Sequence, residues 1–194
     1  MRDNSHVDDD NQIIAEARYD PVAFVQLYHK HYDEVFRYCV HRLFDRNIAE
    51  DITSEVFLKA VQNFGRFNVN GKPQFRNWLY RIATNEVNNH FRKKTGRDGL
   101  FKRFSEQSND DTDDAESLPE ELALLKKVIF ALKPKYQNVI TLRFFENLKL
   151  TEIAGVLGCS PATARSRLAR ALAKIRKKLT TAGITKLSGG AEND

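Results

Sequence analysis

Apolar residues return every three or four positions along most of this chain, and the two-residue alternation of a half-buried strand is nearly absent. Such spacing points to one fold class, all-α. Over 20–43 the inward set is Phe24, Leu27, Tyr28, Val35, Phe36, Val40 and Leu43, with Asp20 placed to cap and Pro21 at the first helical position. Over 48–64, Ile52, Val56, Phe57, Ala60 and Val61 share one side. Over 74–94, Phe75, Trp78, Leu79, Ile82, Ala83 and Val87 do the same. The stretch GRFNVNGKP, with two glycines and a proline, separates the last two as a loop. With a short helix near Ile13, these make a helical domain over residues 1–95.

Residues 96–118 change character. They are rich in Ser, Asn and Asp, and from Glu106 to Glu121 there are eight acids and no base. A self-repelling segment with little to bury reads as a flexible linker. Fully extended, its 23 residues reach at most about 76 Å at ~3.3 Å each. On DNA that separates two contacts by up to roughly 22 base pairs at ~3.4 Å per pair. Helical spacing resumes over 119–132, 135–145, 151–157 and 161–179, a second domain over 119–180 followed by a tail, 181–194. Two small helical domains on an acidic tether is the expected architecture.

Charge is segregated as well as patterned. From Ile153 to Ala191 there are eight Lys and Arg and no acid, within a chain of net charge +5. A basic body beside an acidic connector implies an anionic partner. Cys39 and Cys159 form no CxxC pair, so neither a disulfide scaffold nor a zinc knuckle is expected. No apolar run approaches the ~20 residues that cross a bilayer, and the acidic N-terminus is no secretory signal. The expected location is cytoplasmic, without membrane insertion.

The basic segment has internal grammar. In LTEIAGVLGCSPATARSRLARAL, Thr151 is placed to cap a short helix carrying Ile153, Val156 and Leu157, with small Ala154 allowing close approach. Gly158 falls where a helix end takes a left-handed residue, and Ser160 with Pro161 opens the next helix. Helix, three-residue turn and helix is the spacing of a helix-turn-helix, whose second helix enters the major groove. At ~100° per residue, Ala164, Leu168, Ala171, Leu172, Ile175 and Leu179 face inward. Thr163, Ser166, Arg167, Arg170, Lys174 and Lys177 face outward, with Arg165 on the flank. Arginine pairs bidentately with guanine, hydroxyls serve several acceptors, and lysines take phosphates. A solvated amphipathic helix is the plainer account; the turn, the cap and the total lack of acids favour DNA.

LKPKYQNVITLRFFENLKLTEIAGVLGCSPATARSRLARAL resembles the C-terminal promoter-binding domain of bacterial sigma factors. AEDITSEVFLKA and FRNWLYRIATNEVNNHFRKK resemble the N-terminal domain of the same family. With only these two domains, the resemblance is to the extracytoplasmic-function class. It implies that Thr163, Arg165, Ser166, Arg167, Arg170 and Lys174 read an upstream promoter element, with Arg143 on the DNA backbone. It also implies that Asp51 and Glu55, four apart on one helix face, dock on core RNA polymerase. Arg76, Asn77, Arg81, Asn85, Asn88 and Arg92, with Asn68 and Asn70 in the preceding loop, would take the downstream element and its melted strand. Trp78 is better read as core than as a stacking wedge, because it shares the apolar stripe. The partners implied are core RNA polymerase, promoter DNA (duplex and melted) and an anti-sigma protein.

No cofactor is expected, and no metal: on a helix, His29 and His31 point about 200° apart. No nucleophile and base arrangement stands out, so the chain reads as no enzyme. The competing reading is a one-component helix-turn-helix repressor or activator, which would bind a palindrome as a dimer.

Overall fold

Local chemistry places each helix start. The structure is a computed structural model, described here over residues 5–67, 74–94 and 120–181. Helix α1 is Ser5–Ala17 and α2 is Ala23–Leu43. The expected cap does not form: the Asp20 carboxylate accepts the Val22 amide proton at 2.9 Å and closes a turn over Pro21 and Val22, and the helix starts only at Ala23, without a side-chain cap. Helix α3, Arg46–Asn63, starts two residues earlier than its apolar pattern because Asp45 caps it, accepting from the Ile48 N–H at 2.9 Å. A short 3-10 turn, Phe64–Arg66, closes it. Helix α4 is Phe75–Lys94. The loop carrying Asn68 and Asn70, the acidic segment 96–118 and the tail beyond Thr181 lie outside the described residues.

Helices α2, α3 and α4 pack around an aromatic centre. The Phe24 ring meets Phe64 edge-on at 5.2 Å, and Phe67 lies 5.4 Å from Phe75 and 5.1 Å from Trp78. Trp78 is thus a half-buried wall of the core. Leu27, Val35, Leu79 and Val87 are almost fully buried, each contributing about 1.5–3 kcal/mol by leaving water. Val61 departs from expectation and is 53% exposed. It sits at the rim of the α3 stripe, past the ground that α2 and α4 cover.

The second half comprises α5 (Glu120–Phe130), α6 (Pro134–Ile140, running into a π-turn at Thr141–Phe145), α7 (Leu150–Leu157) and α8 (Pro161–Thr181). Helix α7 begins one residue before Thr151: the Glu152 carboxylate accepts the Lys149 amide proton at 2.7 Å, closing the first turn in place of the expected threonine cap. Gly158 is left-handed, at φ 59° and ψ 41°, and the Ser160 hydroxyl accepts the Thr163 N–H at 3.1 Å. Ala154 is buried where α7 meets α8. Ala164, Ala171, Ile175 and Leu179 form the α8 core stripe, whereas Leu168 is half-buried and Leu172 is 39% exposed. Leu172 lies at the stripe's edge, beyond the reach of α6 and α7.

The two halves are not apart. Helix α4 packs along α7, and α2 meets the π-turn. That contact buries Tyr80, whose hydroxyl donates to Glu146, while Thr84 is buried against Tyr38 of α2 at 2.8 Å and Asn77 is buried too, all three polar and outside the apolar stripe read from the sequence.

Candidate nucleic-acid interface

The glycine turn and the serine cap fix the angle of α8 against α7, and that angle presents one side of α8 to solvent. Arg165, Ser166, Arg170 and Lys174 are exposed, while Thr163 and Arg167 are half-buried. Thr163 shares a 2.9 Å hydroxyl contact with Ser160, which positions it at the helix N-terminus. The structure adds two residues to this face that the sequence reading passed over. Lys135 and Tyr136 line an open cleft with Ala162, Thr163, Ser166, Arg167 and Arg170. Tyr136 carries two cations near its ring, Lys135 Nζ at 5.2 Å and Lys174 Nζ at 5.9 Å from the centroid. The signal was present as LKPKY, a Lys-Pro-Lys start to α6, but only packing brings that start beside α8. Arg143 takes a different place: it is half-buried, and its guanidinium donates to the Leu148 carbonyl at 3.1 Å, bracing the turn before α7.

On the N-terminal half, Arg81, Asn85 and Arg92 are exposed on α4 and Asn88 is half-buried. Arg92 donates to the Asn89 side chain. Asn77 corrects the sequence reading, being 7% exposed and turned into the fold. Arg76 is half-buried and lies 3.9 Å from both Glu34 and Glu152 carboxylates. Arg76 thus falls between α2 and α7. Asp51 is exposed on α3 as expected, and Glu55 beside it reaches Lys59 at 3.3 Å. Lys59 is held more closely by Glu86 at 2.6 Å, tying α3 to α4.

Titratable groups elsewhere are structural. His31 is buried, with Nε2 3.1 Å from Asp10, while His29 is exposed. Burial pushes the Cys39 thiol up to about 12, as suits a packing residue. Among the described residues no group of three His, Cys, Asp or Glu is placed to hold a metal, and no helix is long and apolar enough to cross a membrane.

Family models match both halves: sigma-70 region 2 over residues 27–97, and sigma-70, region 4 over residues 122–175. The chain belongs to the sigma-70 family. It is an RNA polymerase sigma factor of the extracytoplasmic-function class, directing promoter-specific initiation of transcription. The ECF RNA polymerase sigma factor BldN of Streptomyces coelicolor is 35% identical over 163 residues, covering 79% of this chain and 60% of BldN. The ECF RNA polymerase sigma factor SigW of Bacillus subtilis is 32% identical over 177 residues, covering 82% of this chain and 90% of SigW. The solved structure of CnrH in complex with the cytosolic domain of CnrY superposes with a TM-score of 0.67 at 23% identity, covering 89% of this sigma factor and 97% of that chain. RpoE, solved with the anti-sigma factor NepR from Bartonella quintana, gives 0.61 at 20% identity, over 81% and 96%. Those two likenesses show the all-α fold. Two sigma regions in the family's order displace the one-component repressor or activator.

Proposed function

We propose that this sigma factor reads an upstream element with the outward face of α8 and a downstream element with α4 and the loop before it. The observation that carries this is the one-sided α8. It opens a cleft holding three arginines and lysines, Lys135, Arg167 and Arg170, against one tyrosine. Arg165, Ser166, Arg167 and Arg170 lie where base edges would be, with Thr163, Lys135 and Lys174 toward phosphates. Arg81, Asn85, Asn88 and Arg92, with Asn68 and Asn70, take the downstream strand, and a base turned out of the stack costs a few kcal/mol. The exposed acidic face at Asp51 and Glu55 docks on core RNA polymerase, which performs the chemistry while this chain adds none.

The sigma factor works in the cytoplasm, and domains 1–95 and 119–180 act at separate sites joined by 96–118. The structural neighbours solved with CnrY and NepR support a protein inhibitor as a further partner.

Run-off transcription with purified core polymerase on genomic fragments tests the reading. Discrete start sites are expected, each preceded by two unequal elements and no palindrome. Arg170→Ala should lower output from such a promoter about tenfold or more, the discrimination of one good base contact, while co-purification with core enzyme is retained. Full output from Arg170→Ala would remove Arg170 from the reading set.

A further inference from the structure

Phe67 stands at the entry to the loop before α4, and the fold holds each of its parts. Its N–H donates to the Phe64 carbonyl at 3.0 Å, closing the 3-10 turn. Its ring packs on Phe75 at 5.4 Å and on Trp78 at 5.1 Å, both on α4. Its carbonyl accepts from the Arg18 guanidinium at 2.6 Å, across 49 positions of sequence. On the far side of the loop, the Gln74 carbonyl accepts the Trp78 N–H at 3.1 Å and opens α4.

We propose that Arg18 is a positioning residue for the downstream element: it fixes the direction in which the chain leaves Phe67, and so where the loop meets DNA. This rests on the assignment of the downstream element to α4 and the loop before it. Each residue has two soft backbone rotations, φ and ψ. At Phe67 the N–H bond and the packed ring restrain φ. Neither restrains ψ, which turns the carbonyl and everything after it. The Arg18 bond is the contact that holds ψ, here at 121°. Three residues of chain reach up to about 10 Å at ~3.3 Å each. A swing of about 10° at Phe67 therefore displaces a point at that reach by up to about 2 Å. A recognition site works only when its groups are held to roughly 0.5 Å.

Arg18 acts from a fixed base. It follows directly on α1, whose Ile14 and Ala17 are buried in the core. Farther back along α1, Asp10 pairs with two residues of α2, Lys30 at 2.8 Å and His31 at 3.1 Å. The Arg18 bond thus carries the position of the anchored helix to the root of the loop. Arg18 itself is exposed, so the core does not depend on it, as for most surface side chains. A simple tie between α1 and Phe67 would change stability alone. A positioning role changes how strictly one base is preferred over another.

The test uses the full chain with core polymerase on a promoter mapped by run-off transcription. Arg18→Met keeps an unbranched side chain and removes the donor, and Arg18→Ala removes both. In wild type, a single base change in either element should lower output about tenfold. In both variants the penalty for the downstream change should shrink to about threefold or less. The penalty for the upstream change, helicity and co-purification with core enzyme should stay at wild-type values. If one variant fails to fold, the other decides; failure of both would mark Arg18 as a structural tie and end the positioning role. Downstream discrimination at the wild-type level overturns it. So does loss of both penalties together with a lowered thermal midpoint and weaker co-purification. A wild type indifferent to the downstream sequence would instead strike the reading of α4 and its loop.

Discussion

His31 shows how little of a residue's task its neighbours in sequence reveal. Helical geometry separates the two histidines that flank Lys30, and the fold turns His31 inward against Asp10 of α1 and leaves His29 in water. Burial alone would lower the His31 pKa; the contacts with Asp10 and Glu34 outweigh it and the net shift is upward. For Asp10, burial would raise the pKa, but His31 and Lys30 bring it below the ordinary value. The signs then set a window. The histidine's contribution is complete below its ordinary value near 6.5 and is lost as pH rises through the raised one. That of Asp10 is complete above its ordinary 3.8 and is lost as pH falls through the lowered one. Thermal unfolding should therefore show a melting temperature that falls from about pH 5.5 to pH 8, with a shallower fall in His31→Gln. Equal slopes in the two proteins would remove His31 from the account. Asn77 carries the same lesson with opposite sign: it reads as a DNA-facing amide among cations, yet it is buried in the fold.

At the scale of the element, local grammar was legible wherever one residue sets a backbone angle. Gly158 at positive φ and Ser160 capping α8 stand where their chemistry requires. The start of α7 was less legible, because Thr151 and Lys149 with Glu152 offer competing ways to close a first turn, and the carboxylate closes it. The α8 cap separates stability from recognition. Ser160→Ala should lower stability by about 1 kcal/mol, read from the thermal midpoint. Ser160→Asp should restore the midpoint, because a carboxylate both caps and favours the helix N-terminus, but should weaken DNA binding through repulsion of phosphate. If Ser160→Asp bound DNA as well as wild type, the N-terminus of α8 would not lie at the DNA. The stripe on α8 was read correctly at its centre and wrongly at its edge. Leu172 is apolar by sequence but exposed, since periodicity gives direction and not the width of the covering helices.

For the whole molecule, the tether must let two halves that touch in the free chain reach separate elements. Shortening 96–118 to about ten residues limits its reach to ~33 Å and should abolish run-off transcription while both halves stay folded. Wild-type output from that deletion would mean the halves need not span separate sites. The sequence by itself determined the all-α class, the helix-turn-helix and the division into two helical halves, because each follows from spacing within about twenty residues or from composition over a long run; that the halves are sigma regions came from their resemblance to the family. Tertiary structure alone decided that Tyr80, His41 and Arg42 meet Glu146 and Gln137. It also decided that Lys135 and Tyr136 join the α8 face. Those residues lie up to 105 positions apart. Polar side chains carry no periodic mark of which distant surface will bury them, so only the packed fold could bring them together.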